Sequence, residues 1–281
     1  LVGCLMTIHV PTLGRAFGLA AAVTLAASPV LAADLPAIKA GDGNAVPACA
    51  TPGRMMSLLK ARNAGLDQRF EAVATEYMRH GEALGVRWDY AFYQMILETG
   101  ALSFKGDVKA SQNNFAGLGA TGKGERGESF ADVSTGVRAH LEHLMLYAGE
   151  PVDNPVAERT RKVKEWGVLT SWQKSLKKPI TFRDLARKWA PWDKGYPSEI
   201  QSVAERFQAD HCGKPDPAPE LVAQARGGKA TAVASADAKS ETRSIGADLA
   251  RQALERARAE GGATRSSLGA GLIAKPAAQP E

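Results

Sequence analysis

The sequence has 281 residues, of which 44% are hydrophobic and 23% charged, with a formal net charge of +5. These values suit a globular protein and exclude a collagen, a coiled-coil rod and a fully disordered chain. Of its 18 aromatic residues, 17 lie between Phe70 and Phe207, which predicts one core whose flanks are too poor in aromatic residues to build another.

The positive charge is spread thinly along the chain. Residues 158–188 carry the one local bias, 10 basic against 3 acidic residues, which we interpret as a solvated helix face or, alternatively, an anion-facing surface. No segment has the dense basic excess that phosphate neutralisation requires. No nucleic-acid partner is therefore predicted.

Residues 1–33 have the layout of a secretory signal peptide. Arg15 precedes a short apolar run and then small residues ending at Ala32 and Ala33, near which we predict cleavage. A membrane span needs roughly 20 apolar residues, and this stretch is shorter and only weakly apolar. We therefore expect an exported protein, periplasmic or secreted, without an integral membrane span after cleavage; an uncleaved anchor is the alternative.

Export bears on Cys49 and Cys212, because two cysteines in an exported protein usually pair. Closing a loop of roughly 160 residues stabilises the folded state by about 5 kcal/mol in the chain-entropy model. We predict a disulfide between them, with two free thiols as the alternative.

The first half of the chain alternates between helical and irregular patterns. Residues 34–53 are rich in Ala, Gly and Pro and are interpreted as a linker. Apolar residues at helical spacing predict one or two helices between Met55 and His80, with Gly81 and Gly85 as interruptions, and a further helix over 88–99 that Gly100 ends. Residues 106–130 are glycine-rich and predict a long irregular lobe or a small hairpin.

The second half is predicted to be helical up to Cys212. Helices are expected around residues 134–148, 155–164, 182–189 and 198–210, with Thr181–Asp184 and Ser198–Gln201 as capping pairs. The composition then predicts a disordered tail over residues 213–281, in which residues 245–260 could form a short helix. The pattern predicts one predominantly α-helical domain over residues 54–212 with a small irregular lobe or hairpin.

Glu98 is the first candidate for chemistry, because it follows the apolar residues 95–97 and precedes the helix stop at Gly100. Apolar neighbours and the negative end of a helix dipole both favour its neutral form and raise its pKa. A proton-donating carboxyl needs such surroundings near neutral pH. The alternative, which spacing alone favours, is a solvated glutamate in the last helical turn.

Two further segments suggest a binding cleft. Asn113, Asn114 and Phe115 place two amides beside a ring, which suits a polyhydroxylated, acetamido-bearing ligand; the alternative is a turn with one packed Phe. Trp189, Trp192 and Tyr196 lie within eight residues of turn-forming sequence, typical of a core or a binding cleft alike.

No cofactor or metal is predicted. His140 and His143 lie three residues apart on one helix, as zinc ligands can, but no third ligand with supporting spacing is evident. Hydrolase-elbow, phosphate-loop and dinucleotide motifs are absent from the sequence.

Four segments in the same order resemble the bacterial glucosaminidase family, whose members cleave β-1,4 bonds after N-acetylglucosamine in peptidoglycan on a lysozyme-like scaffold. They are residues 94–100 (QMILETG), 113–119 (NNFAGLG), 130–148, and 189–200 with the pattern Asp-x-x-Tyr-x-x-x-Ile. The resemblance covers roughly residues 70–210 of the chain. It implies a lysozyme-like domain of the fold class α+β with a small irregular or β lobe, a peptidoglycan glycan strand as substrate and Glu98 as general acid.

The resemblance also implies roles for other residues. Tyr196 would lie in the cleft and position the sugar together with Asn114 and Phe115, and Trp189 and Asn113 would contribute to substrate binding. A second acid, where one is used, lies roughly 6.5–9.5 Å from the first in inverting enzymes. Glu128 is preferred for this role because it adjoins Phe130, with Glu125 and Asp132 nearby. Without a second acid, the acetamide of the substrate would assist.

Two other functions remain compatible with the sequence. A lytic transglycosylase would use the same scaffold and a single catalytic Glu to form an anhydro sugar. A non-catalytic peptidoglycan-binding module would keep the cleft without turnover. A monomer is expected in each case.

Overall fold

The computed structural model describes residues 34–122 and 124–227. The predicted signal peptide and the predicted helix over residues 245–260 lie outside this part of the chain. The described residues form α1 (Pro52–Arg62), α2 (Val73–Leu84), α3 (Trp88–Glu98), α4 (Val133–Ala148), α5 (Glu158–Trp166), α6 (Thr170–Ser175), α7 (Phe182–Trp189), α8 (Tyr196–Phe207) and α9 (Glu220–Gly227). Two 3-10 turns (Gln68–Phe70 and Ala110–Gln112) and a π-helical turn (Gln208–Cys212) complete them.

The fold is predominantly helical, as the sequence predicts. The described residues show isolated β-bridges but no β-sheet, and the bridge inside the predicted lobe joins Gly122 to Glu125. The lobe over residues 106–130 is therefore irregular backbone in the part of the chain that is described. A β lobe is not observed there.

The centre of the domain is the packing of α2 against α3 and α4. Gly81 was predicted to interrupt the helix, but α2 continues through it. A Cβ at this position would lie 2.2 Å from Cβ of Trp88, so the glycine is needed for close packing. The helix ends instead at Gly85, whose φ of 66° is the left-handed conformation that glycine favours. The close approach brings Tyr77 of α2 against Phe92 of α3, with ring centroids 5.4 Å apart.

Two short helices frame the site described below. The predicted cap of α7 is confirmed, since Oγ1 of Thr181 accepts from the backbone N–H of Asp184 while Oδ2 of Asp184 accepts from that of Thr181. The predicted cap of α8 at Ser198 is wrong, because the helix begins two residues earlier, at Tyr196. Pro197 in its first turn, with φ already fixed for a helix, explains the earlier start.

Residues 34–53 are not a free linker. Leu35 and Ile38 are buried, and the backbone N–H of Ile38 donates to Ile180 O at 3.0 Å while its carbonyl accepts from Arg87 N–H at 2.9 Å. The segment therefore packs against the domain by backbone pairing. Its content of Ala, Gly and Pro predicted a linker and did not indicate this packing.

The predicted disulfide between Cys49 and Cys212 is present and spans 163 positions. Beyond it the chain stays packed, because α9 contacts α2 and Arg226 forms an ion pair with Glu82 at 2.8 Å. The predicted disorder is therefore wrong for residues 213–227. None of the helices within the described ranges is long and apolar enough to cross a membrane.

Candidate active site

Glu98 is the last residue of α3, as the sequence predicts. The preceding turns of this helix are buried through Phe92, Met95 and Ile96. The chain then reverses through Gly100, whose φ of 58° again requires the left-handed conformation. The apolar face of α3 therefore carries the carboxyl to the edge of the core, where Glu98 retains partial exposure.

Two buried aromatic side chains donate hydrogen bonds to one oxygen of this carboxyl. Nε1 of Trp189 donates to Oε1 of Glu98 at 3.0 Å, and the hydroxyl of Tyr196 donates to the same atom. Trp189 ends α7 and Tyr196 begins α8, so residues 189–196, here called the aromatic turn, present both donors from one connection. The turn is held by Tyr196 N–H donating to Asp193 O at 3.3 Å.

Burial raises the pKa of Glu98 from 4.5 to about 7. The hydrogen bonds from Tyr196 and Trp189 act in the opposite direction, because they stabilise the carboxylate, but desolvation is the larger effect. The direction agrees with the sequence argument from apolar neighbours. A carboxyl with this pKa is substantially protonated at neutral pH and can donate a proton there.

Gln94 is a site residue that the sequence argument missed as an individual contact. Its Nε2 donates to the hydroxyl of Tyr196 at 3.0 Å, and the residue is fully buried. Gln94 lies four residues before Glu98, so both side chains face the same side of α3. A polar residue four positions before Glu98 in an otherwise apolar helix was the sequence feature that could have identified Gln94 as a site residue.

The second segment expected to bind substrate has a different environment. In residues 112–119, here called the amide loop, Nδ2 of Asn114 donates to Leu118 O at 2.9 Å and to Glu128 O at 3.1 Å, and its Oδ1 accepts from Leu118 N–H at 2.9 Å. Nδ2 of Asn113 donates to Phe130 O at 3.1 Å. These amides satisfy the backbone of an irregular segment, which has no ladder to do so.

Phe115 of the amide loop is a core residue. Its ring is fully buried and packs edge-on against Phe70, with centroids 5.9 Å apart. A ring without an exposed face cannot stack on a sugar, so the structure corrects the predicted role of Phe115. The same correction applies to Trp189, which is 1% exposed and reaches Glu98 rather than solvent.

Glu128, the preferred second acid, lies against the N-terminus of α5. Its Oε2 accepts from the backbone N–H of Glu158 at 2.7 Å and its Oε1 from that of Arg159 at 2.6 Å. The first N–H groups of a helix have no intrahelical partner, so the carboxylate completes this helix end. The observed contacts of Glu128 are structural ones.

The other two carboxylates considered nearby are also placed. Asp132 is the N-cap of α4 and accepts from Thr135 N–H at 2.7 Å, and Glu125 is exposed. His140 and His143 are buried inside the helical core. The described residues contain no cluster of three or more His, Cys, Asp or Glu side chains arranged to hold a metal ion.

Comparison with known proteins finds similar sequences over this part of the chain. Residues 74–209 match the glucosaminidase family model, described as mannosyl-glycoprotein endo-beta-N-acetylglucosaminidase. An uncharacterized protein of Borreliella burgdorferi is 35% identical over 144 residues, which cover 50% of this chain and 65% of that relative's length. No solved structure matches the chain significantly. Residues 74–209, which contain Glu98, Trp189 and Tyr196, are therefore similar to the glucosaminidase family.

Proposed function

We propose that this domain hydrolyses β-1,4 glycosidic bonds after N-acetylglucosamine in peptidoglycan glycan strands, with Glu98 as general acid. The observation that carries the proposal is the carboxyl of Glu98 at the end of α3, with its pKa raised by burial to about 7 and two donors on one oxygen. The family match supports glycoside hydrolysis.

The two hydrogen bonds to Oε1 define how the acid works. Oε1 already accepts from the hydroxyl of Tyr196 and from the indole of Trp189, so its lone pairs are engaged. The acidic proton therefore resides on Oε2, from which it passes to the oxygen of the leaving sugar as the glycosidic bond breaks. Tyr196 and Trp189 act as positioning residues that hold the carboxyl in one orientation.

A second carboxylate is not needed in this proposal. Both oxygens of Glu128 accept backbone hydrogen bonds at the start of α5, which supports a structural role. We assign the second function to the acetamide of the substrate, whose carbonyl oxygen attacks the anomeric carbon as the leaving sugar departs with the proton of Glu98. Water then adds at the anomeric carbon, opens the resulting ring and returns a proton to the carboxylate of Glu98. This route predicts retention of anomeric configuration and activity in a Glu128→Gln variant.

The site of action follows from the substrate. Peptidoglycan lies outside the cytoplasm, so the proposal requires export, for which residues 1–33 supply the predicted signal. The disulfide between Cys49 and Cys212 fits an oxidising compartment. We propose a monomeric periplasmic or secreted enzyme.

The deciding experiment compares Glu98→Gln with wild type on purified peptidoglycan. Loss of a general acid lowers the rate by roughly 10²–10⁴-fold, and Gln keeps an oxygen that accepts from Tyr196 and Trp189. Glu165→Gln is the matched control, because Glu165 is exposed on α5. Near-wild-type activity of Glu98→Gln would refute the assignment.

Mass spectrometry of the products separates the other functions. New reducing N-acetylglucosamine ends support the proposal, whereas anhydromuramic acid ends identify a lytic transglycosylase. Binding to sacculi without any released sugar identifies a binding module. Release of glycans from a mannosyl-glycoprotein, with peptidoglycan left intact, would replace the proposed substrate while keeping Glu98 as the acid.

A further inference from the structure

We propose that Tyr77, His140, Gln94 and Tyr196 form a directional hydrogen-bond relay that fixes which oxygen of Glu98 carries the proton. The inference rests on the proposed function of Glu98 and adds positioning residues on α2 and α4, which make no hydrogen bond to the carboxyl themselves. All four side chains are buried.

The relay begins at α2 and crosses to α4. The hydroxyl of Tyr77 lies 2.8 Å from Nδ1 of His140, and Nε2 of His140 lies 3.3 Å from Oε1 of Gln94. Since an amide oxygen only accepts, His140 must carry its proton on Nε2. Its Nδ1 is then an acceptor, and the hydroxyl of Tyr77 is the donor to it.

The same direction continues to the carboxyl. Nε2 of Gln94 donates to the hydroxyl oxygen of Tyr196, which leaves the Tyr196 proton free to point at Oε1 of Glu98. Every donor in the chain from Tyr77 onward therefore points toward Glu98. Consecutive hydrogen bonds polarise one another in the same sense, so the last donor is strengthened by those behind it.

The relay acts by fixing the direction of its hydrogen bonds and not by charge, because its members are neutral. Burial lowers the pKa of His140 to about 3 and raises those of Tyr77 and Tyr196. The groups that face His140 from other positions are the ring of Trp189, with centroids 6.2 Å apart, and His143, which burial also keeps neutral. No member changes charge between about pH 5 and 9, so only Glu98 titrates inside the network in that range.

A reversed relay would have a different signature. If the amide of Gln94 were turned over, Tyr196 would donate to Gln94 instead of Glu98, and His140 would carry its proton on Nδ1. The tautomer of one buried histidine therefore reports the direction of the whole chain.

The first test is the nitrogen-15 NMR spectrum of the His140 imidazole in the intact protein. We expect the neutral form protonated on Nε2 at all pH values from 5 to 8, and a loss of this preference in Tyr77→Phe, which keeps the ring but removes the donor to Nδ1. Protonation on Nδ1, or an imidazolium at pH 6, would overturn the inference. This result does not depend on enzymatic activity.

The second test follows the carboxyl of Glu98 by carbon-13 NMR in Gln94→Leu. Removing the donor to Tyr196 weakens its hydrogen bond to the carboxylate, so the pKa of Glu98 should rise further and the alkaline limb of the rate profile should move to higher pH. We expect kcat to fall about tenfold with KM unchanged, a transition-state effect of about 1.4 kcal/mol.

Thr160→Val is the matched control for both tests. Thr160 forms a similarly buried hydrogen bond to a histidine of α4, at 2.9 Å from Nδ1 of His143, but lies outside the relay. It should cost stability without moving the titration of Glu98. If Gln94→Leu fails to fold, Tyr77→Phe decides; an unshifted Glu98 titration in whichever variant folds contradicts the relay, even if Glu98→Gln has abolished activity.

Discussion

The aromatic turn and the amide loop were both expected to line one cleft, and the structure gives them different tasks. In the aromatic turn, Trp189 and Tyr196 direct their donors at a titratable carboxyl. In the amide loop, Asn113 and Asn114 direct theirs at backbone carbonyls, and Phe115 fills the core. One segment donates hydrogen bonds to the candidate acid, and the other donates them to the irregular backbone beside it.

The difference has a physical cause. Backbone groups inside a helix pair with one another, and the side chains of Trp189 and Tyr196 at two helix ends donate to the carboxyl of Glu98 rather than to backbone carbonyls. The irregular residues after α3 have no regular pattern of backbone hydrogen bonds. The side-chain amide of Gln112 therefore donates to the carbonyls of Arg126 and Glu128, at 2.8 Å and 3.1 Å. Amides in an irregular segment are therefore first used to satisfy backbone groups.

Gly136→Ala should have the largest effect and disrupt the amide loop. A Cβ at Gly136 would lie 1.9 Å from the backbone oxygen of Asn113, so α4 and the loop must separate. We expect the free energy of unfolding to fall by about 4 kcal/mol, measured by urea denaturation. Gly106→Ala is the control, since nothing lies within 4 Å of its Cβ. Equal stability of the two variants would show that the loop is not docked on α4.

Asn114→Ala should have the next largest effect. The substitution leaves the N–H of Leu118 and the carbonyls of Leu118 and Glu128 without the buried amide that satisfies them. We expect a loss of about 3 kcal/mol, against about 1 kcal/mol for Asn113→Ala, which loses one bond. If Asn114 instead binds substrate, its variant will keep wild-type stability and lose affinity for glycan strands.

Glu98→Gln tests the other segment through stability alone. Between pH 4.5 and about 7 the unfolded chain ionises Glu98 while the folded protein keeps it protonated. The folded state binds more protons there, so wild-type stability falls as pH rises through this window. Gln lacks this effect and should be more stable than wild type by about 2 kcal/mol at pH 8, after allowance for partial exposure.

The comparison of Tm at pH 4 and pH 8 measures this difference. The two proteins should agree at pH 4 and separate above pH 7, while the buried histidines contribute equally to both and cancel. Glu165→Gln should follow wild type at every pH. A constant difference across the range would mean that the carboxyl of Glu98 is not desolvated.

The sequence predicted those parts of the site that depend on neighbours along the chain. Glu98 was a candidate because Met95 and Leu97 precede it and Gly100 ends the helix, and these neighbours gave the direction of its pKa. Its preference over a solvated glutamate came from the family resemblance. The capping pair of α7 was likewise found from neighbours along the chain. The disulfide followed from the export signal and the count of cysteines.

What the sequence could not predict depends on contacts between distant elements. His140 meets Gln94 and Tyr77 across 46 and 63 positions of the chain, and no local spacing encodes such a meeting. Gly81 looked like a helix break because only the packed partner, Trp88, shows why a side chain is excluded. Leu35 and Ile38 looked like linker residues because their partners near residues 86 and 180 are remote.

Trp192→Ala should have the smallest effect on stability and sharpen the role of the aromatic turn. Trp192 is a large hydrophobic side chain that is 75% exposed. In the sequence it lies between Trp189 and Tyr196, the two residues that contact Glu98. We expect the free energy of unfolding to change by less than about 0.5 kcal/mol. An exposed indole in the turn that donates to Glu98 offers a flat apolar face to the C–H face of a sugar, so KM for glycan strands should rise about tenfold, or about 1.4 kcal/mol, with kcat nearly unchanged.

Lys194→Ala is the control for Trp192, because Lys194 is exposed in the same turn. Loss of its charge should leave KM within about twofold of wild type, since an exposed charge contributes little at physiological salt. If both variants bind glycan strands as well as wild type, the aromatic turn positions Glu98 and does nothing more. If Trp192→Ala alone weakens binding, one connection of eight residues both orients the acid and holds the strand on which it acts.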